Sequence, residues 1–232
     1  MPLRHVPQDP QKVWEALQEG NQRLVTGNLI AVNQDAKLRA GLTQGQDPRV
    51  IVLSCSDSRA PIEHVFNIGF GDAFVIRTAG HILDNAVLAS LDYALENLQA
   101  NLLVVMGHQS CGAVAAASGF LAGGELPKGL QRPIIEKVAA SALVAKREGR
   151  DETADFEREH TAQTVSQIVS DVRPRAACWM REPSVWWACA TSWRTPASKP
   201  WSSTACSSRT ARSSRSGETR GGRLVGVGAQ AP

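Results

Sequence analysis

Three short apolar runs constrain the fold of this chain more than any other feature: "RVIVLS" at 49–54, "AFVIRT" at 73–78 and "NLLVVMG" at 101–107. Each is too short for a core helix and lacks the apolar–polar alternation of a half-buried strand, so each reads as a strand covered on both faces. Between the second and third, "DNAVLASLDYALENL" repeats Val87, Leu88, Leu91, Leu95 and Leu98 at spacings of a helix lying on a sheet. Strand, helix, strand implies a parallel pair with a right-handed crossover. Further helices are predicted at "GAVAAASGFLAG", "RPIIEKVAASALVAKREG" and "DFEREHTAQTVSQIV". Another is predicted near the N-terminus, where Asp9 caps Pro10 and Val13, Leu17, Leu24 and Val25 recur at helical spacing. Asn33 to Asp47 reads as a polar connection. The expected class is α/β, a three-layer α/β/α arrangement around a mainly parallel sheet.

The 232 residues suffice for one core, or for a core with an appendage. No apolar run reaches the length of a membrane span, and "MPLRHVPQDP" lacks a secretory leader, so a cytoplasmic protein is expected. Charge is unevenly divided. From Val172 onward ten basic residues face two acidic ones, net +8, leaving 15 basic and 20 acidic, net −5, for residues 1–171. Five cysteines, an odd number, argue against a disulfide framework. Cys55 and Cys111 lie in patterned sequence, whereas Cys178, Cys189 and Cys206 lie in the basic tail.

Two motifs stand at the C-terminal ends of predicted parallel strands, where open α/β sheets place their sites: "CSDSR" (Cys55, Asp57, Arg59) and "GHQSCG" (His108, Cys111). Two thiolates and an imidazole suit zinc, and three protein ligands with an open fourth position form the catalytic pattern. Asp57 and Arg59, two apart in an extended segment, are spaced for a bidentate ion pair. Two thiolates cancel the charge of Zn²⁺ and weaken it as an acidifier of water, so a helper carboxylate is chemically apt. Taken singly, a buried cysteine is more often a small core residue and an Asp-x-Arg pair a plain ion pair. A cysteine-phosphatase loop needs an arginine where this chain has Pro61. The coincidence of five such residues at two neighbouring strand ends favours the metal reading.

Those residues resemble the β-class carbonic anhydrases, most strongly across "GQDPRVIVLSCSDSRAP", "GFGDAFVIRTAGHILDNAVLASLDYAL" and "LLVVMGHQSCGAV". The resemblance implies one Zn²⁺ per subunit on Cys55, His108 and Cys111, with Asp57 and Arg59 as a catalytic dyad. It implies reversible hydration of CO₂ to bicarbonate and a proton by zinc-bound hydroxide. Gln46, Phe74, Ala79, Tyr93 and Gly112 fall where related proteins line the substrate pocket, Gly112 leaving room near the metal for want of a side chain. A homodimer or tetramer is implied, with no nucleic-acid or membrane partner. The other readings are a carbon disulfide or carbonyl sulfide hydrolase on the same fold, and a zinc protein impaired by its altered C-terminus. His5, His64, His81 and His160 are read as surface or capping residues, with no role assigned.

Organisation is expected as an N-terminal helical arm at 1–40, an α/β zinc domain at 41–171 and an aberrant, disordered tail at 172–232. In that tail the family's last core strand and edge strand are missing, leaving an open sheet edge, and "SSTACSSRTARSSRSGETRGG" is Ser/Arg-rich. The genetic code accounts for the loss. Reading the codons of "WWACATSW" one nucleotide upstream permits Val-Val-Gly-Val-Arg-Tyr-Glu-Leu, a buried-strand sequence. A shift of frame between Ser170 and Cys178 is therefore expected, with weakened folding or activity as its result.

Overall fold

The strands β1 (Val50–Cys55), β2 (Ala73–Thr78) and β3 (Leu102–Met106) lie parallel at the centre of the computed structural model. The structure describes residues 3–98 and 100–172, together with the backbone of 186–190. Every residue of β1 and β3 is buried, as their unbroken apolar sequences require. Successive side chains alternate between faces. Val50, Val52, Leu102, Val104 and Met106 pack with Val13 and Leu17 of α1 (Pro10–Val25) and with α3 (Ile62–Val65). Ile51, Leu53, Leu103 and Val105 meet Leu91 and Leu95 of α4 (Asn85–Asn97) and Val165 and Ile168 of α7 (Thr153–Val172). The sheet is thus sandwiched between helices, as expected of an α/β/α protein.

The helices begin where their caps predict. Asp9 accepts the N–H groups of Gln11 and Lys12 with Pro10 in the first position, and Asp84 accepts that of Val87 at 2.8 Å. The connection at 33–47 contains a short helix, α2 (Ala36–Gly41), capped by Asp35. None of its residues is buried, so no apolar period marked it. A third apolar cluster joins α5 (Gly112–Leu121) to α6 (Arg132–Arg147) through Val114, Ala117, Ile135, Val138 and Ala142, and it includes Cys55 and Cys111.

One expectation is corrected at the far side of β3. The core strand expected to be missing is formed by β4 (Trp186–Ala190), which runs parallel to β3 with Trp186 opposite Leu102 and Ala190 opposite Met106. The four strands lie in the order β2-β1-β3-β4, so the edge of β3 is covered. A ladder is made by main-chain groups that every residue except proline offers, and tryptophan is itself a strand former. The expected edge strand and disordered tail fall at 173–185 and 191–232, outside the described residues.

Candidate metal centre

Because Ser54 of β1 lies opposite Met106 of β3, the two strands end side by side. Cys55 is the last residue of β1, and His108 stands two residues beyond β3. The chain then turns through Ser110, whose φ of 56° is left-handed, to Cys111, the N-cap of α5. One ligand atom from each of Cys55, His108 and Cys111 lies within 4.8 Å of the others, and all three residues are buried.

The donor chemistry fits zinc. His108 Nδ1 lies 3.0 Å from the carbonyl of Gln109, which can only accept, so Nδ1 carries the proton and Nε2 presents its lone pair. That Nε2 is buried and has no hydrogen-bond partner in the protein. Two thiols and an imidazole gathered this closely are the donor set that would hold zinc. The Cys55 thiol is pulled down to about 4, first by a hydrogen bond from Cys111 and, against the cost of burial, by His108 and backbone N–H groups. The same bond and burial push Cys111 up. Cys55 is thus the readier thiolate of the two, and a metal ion would take both sulfurs deprotonated.

Asp57 and Arg59 form a two-pronged pair beside this cluster. Arg59 Nε donates to Asp57 Oδ1 at 2.9 Å and Nη2 to Oδ2 at 2.7 Å, and the backbone N–H of Arg59 adds a third bond to Oδ1. Nη2 also donates to the carbonyl of Ser110, tying the "CSDSR" loop to the "GHQSCG" loop. The Arg59 guanidinium holds the Asp57 carboxyl well below the usual carboxylate range. Asp57 Oδ2 lies 3.9 Å from His108 Nε2, so this oxygen faces the ligand cluster.

A family model described as carbonic anhydrase matches residues 50–182, more than half of the chain. The chain belongs to the carbonic anhydrase family. It is 45% identical over 160 residues to a protein of Mycolicibacterium smegmatis named carbonic anhydrase, covering 69% of this chain and 78% of that one. The fold is shared with the β-carbonic anhydrase of Coccomyxa solved with acetazolamide, at 19% identity and a TM-score of 0.59 over 84% of this chain and 86% of that one. It is also shared with tetrameric β-carbonic anhydrases of Sordaria macrospora, at 22% identity and a TM-score of 0.55 over 66% of this chain and 80% of theirs. As a carbonic anhydrase, the chain carries its metal-ligand cluster within the matched segment, and the match ends four residues before β4.

The remaining expected site residues are more dispersed. Ala79 immediately follows β2 and is exposed, next to Gly80, whose N–H donates to Cys55 Sγ at 3.3 Å. Gly112 opens α5 beside Cys111. A Cβ there would meet nothing within 4 Å, so the space beside the Gly112 backbone is open. Gln46 is exposed in the loop before β1. Phe74 and Tyr93 pair with ring centroids 6.1 Å apart, Phe74 packing against the apolar cluster under α4 and not that of the thiols.

Two histidines correct the surface reading. His81 and His160 are 2% and 4% exposed with ring centroids 4.5 Å apart, whereas His5 and His64 are exposed. His160 is drawn inward by hydrogen bonds to Gly80 and Ser141. Glu157, which accepts the N–H of Cys111 at 3.1 Å, was not anticipated either. The available signal was a polar series, 157, 160, 161 and 164, at helical spacing among Phe156, Val165 and Ile168.

Proposed function

We propose that this chain hydrates CO₂ reversibly to bicarbonate and a proton, with Cys55, His108 and Cys111 holding one zinc ion. The observation that carries this reading is the buried, unpartnered Nε2 of His108 between two thiols, beside a bidentate Asp57–Arg59 pair. Zinc, when bound, supplies a Lewis acid that makes water nucleophilic near neutral pH. The chain's own part is orientation. Arg59 fixes both oxygens of Asp57, so the carboxylate stays ionised with Oδ2 facing the ligand cluster, where it would accept a hydrogen bond from water. A carboxyl held so far below its usual range is a poor store for a proton, so the proton passes on to buffer.

Gln46, Phe74, Ala79, Tyr93 and Gly112 are proposed as the substrate pocket for CO₂ and bicarbonate. Gln46 and Tyr93 lie open on the single chain, which supports a pocket completed by a second copy in a homodimer or tetramer. No helix among the described residues is long and apolar enough to cross a membrane, and a cytoplasmic location is part of the same proposal. So is the division into an arm at 1–40 and a zinc domain at 41–171.

Metal analysis with stopped-flow assay of CO₂ against carbonyl sulfide and carbon disulfide tests the reading. One zinc per chain and fast CO₂ hydration are expected. A chain that takes up zinc but hydrolyses only the sulfur analogues would replace it with a hydrolase, and a loaded chain inert to all three would leave an impaired zinc protein.

A further inference from the structure

The stretches around the three ligands have a neighbour in common, α7, that plays no part in the chemistry above. Residues 157, 160 and 161 lie on one face of α7, at spacings of three and four. Glu157 and Thr161 meet the two ends of the 107–111 stretch directly, and His160 reaches Cys55 through Gly80. Glu157 Oε1 accepts the backbone N–H of Cys111 at 3.1 Å, at the N-terminus of α5 where a carboxylate is electrostatically favoured. His160 Nε2 donates to the carbonyl of Gly80 at 2.7 Å, and Gly80 in turn donates its N–H to Cys55 Sγ at 3.3 Å. Gly80 has a φ of 63°, so the loop carrying that donor holds a left-handed turn. Thr161 lies against Gly107, the residue before His108, so closely that a Cβ there would come within 2.2 Å of its Oγ1.

The bonding also defines the ring of His160. The Gly80 carbonyl can only accept, so Nε2 carries the proton and Nδ1 accepts from the Ser141 hydroxyl of α6 at 3.1 Å. Burying a carboxylate and an imidazole beneath three loops is costly unless each is hydrogen-bonded. Here the partners are the backbone groups that aim the ligands.

We propose that Glu157, His160 and Thr161 are positioning residues for the metal ligands, through which α7 sets the placement of Cys111, Cys55 and His108 respectively. The proposal rests on the reading of those three residues as zinc ligands and extends it to the groups that orient them. Outer partners of this kind typically tune metal affinity about 10–100-fold.

The test uses the full-length chain loaded with zinc or cobalt, with two readouts: release of zinc to a chromophoric chelator, and the near-ultraviolet thiolate-to-cobalt charge-transfer band. His160→Phe keeps the ring volume and removes the donor, whereas His160→Gln restores a donor toward Gly80. His160→Phe is expected to release zinc about 10–100-fold faster and to shift the cobalt band. His160→Gln is expected to return both toward the parent. A folded His160→Phe with parental release and spectrum overturns the proposal, as does a His160→Gln as defective as His160→Phe. Should His160→Phe fail to fold, Ser141→Ala decides: faster zinc release than the parent supports the proposal, and an unchanged rate overturns it. A parent chain that takes up no metal overturns the zinc reading and this proposal with it, which separates the two failures.

Discussion

At the scale of single residues, the centre is defined by atoms whose needs the protein alone leaves open. Nε2 of His108 has no hydrogen-bond partner among the described residues, and the Cys55 thiol is drawn down while that of Cys111 is pushed up. Cys111→Ser or His108→Ala is expected to reduce zinc from one per chain to a small fraction by metal analysis. Arg59→Ala is a different test. It releases the Asp57 carboxyl, whose pKa then rises toward the ordinary range, and kcat/KM is expected to fall about 100-fold or more with zinc content unchanged. Equal loss of zinc and activity would instead make the arginine a structural support for the loops. His160 adds a pH effect on stability. Burial lowers its pKa from the ordinary value near 6.5, so the unfolded chain binds a proton that the folded chain refuses. Stability is therefore full above about pH 6.5 and falls as pH drops below it. Urea melts of metal-free protein should show a shallower acid loss in His160→Gln, and identical slopes would remove this histidine from the acid limit.

At the scale of elements, β1 and β3 were legible because strands buried on both faces must be almost wholly apolar, and α4 because a helix on a sheet must repeat every three to four residues. β2 was legible as a strand, but of its residues only Ile76 is buried and the others are half-buried, so it is not covered on both faces as expected. The two motifs were legible through the coincidence of their five residues at two neighbouring strand ends, since each residue taken singly has commoner structural uses. The polar face of α7 was not read, because the helical spacing of Glu157, His160 and Thr161 in "FEREHTAQTV" fits a solvated face as well as one turned inward. Their burial follows from the loops they meet, which are distant in sequence. Gly107→Ala probes this contact, since the added Cβ would meet Thr161 Oγ1 at 2.2 Å. It is expected to cost about 1–3 kcal/mol in urea denaturation, and Thr161→Ala in the same chain is expected to recover part of that loss. Additive costs would show that the two residues do not press on one another.

At the scale of the whole molecule, the outcome turns on the strand beside β3. All five residues of β3 are buried, and the strand paired with it is Trp-Trp-Ala-Cys-Ala. Replacing 186–193 by Val-Val-Gly-Val-Arg-Tyr-Glu-Leu puts β-branched valines in place of Trp186, Trp187 and Cys189, opposite Leu102, Leu103 and Val105. A higher Tm and greater CO₂ hydration per chain are expected of that variant, and equal values would show that the position is indifferent to its side chains. Sequencing the gene across the codons for 170–193 bears on the same point, because codons incompatible with that neighbouring-frame peptide would exclude a frame shift. What the sequence by itself determined was the class of fold and the chemistry of the site, since hydrophobic period and donor type are properties of the residues themselves. Only the tertiary structure decided that an unpromising segment pairs with β3 and that one face of α7 meets Cys111 and Gly107 directly and Cys55 through Gly80. Main-chain pairing and inward orientation depend on which parts of the chain meet in space, and that information is not local to any stretch of sequence.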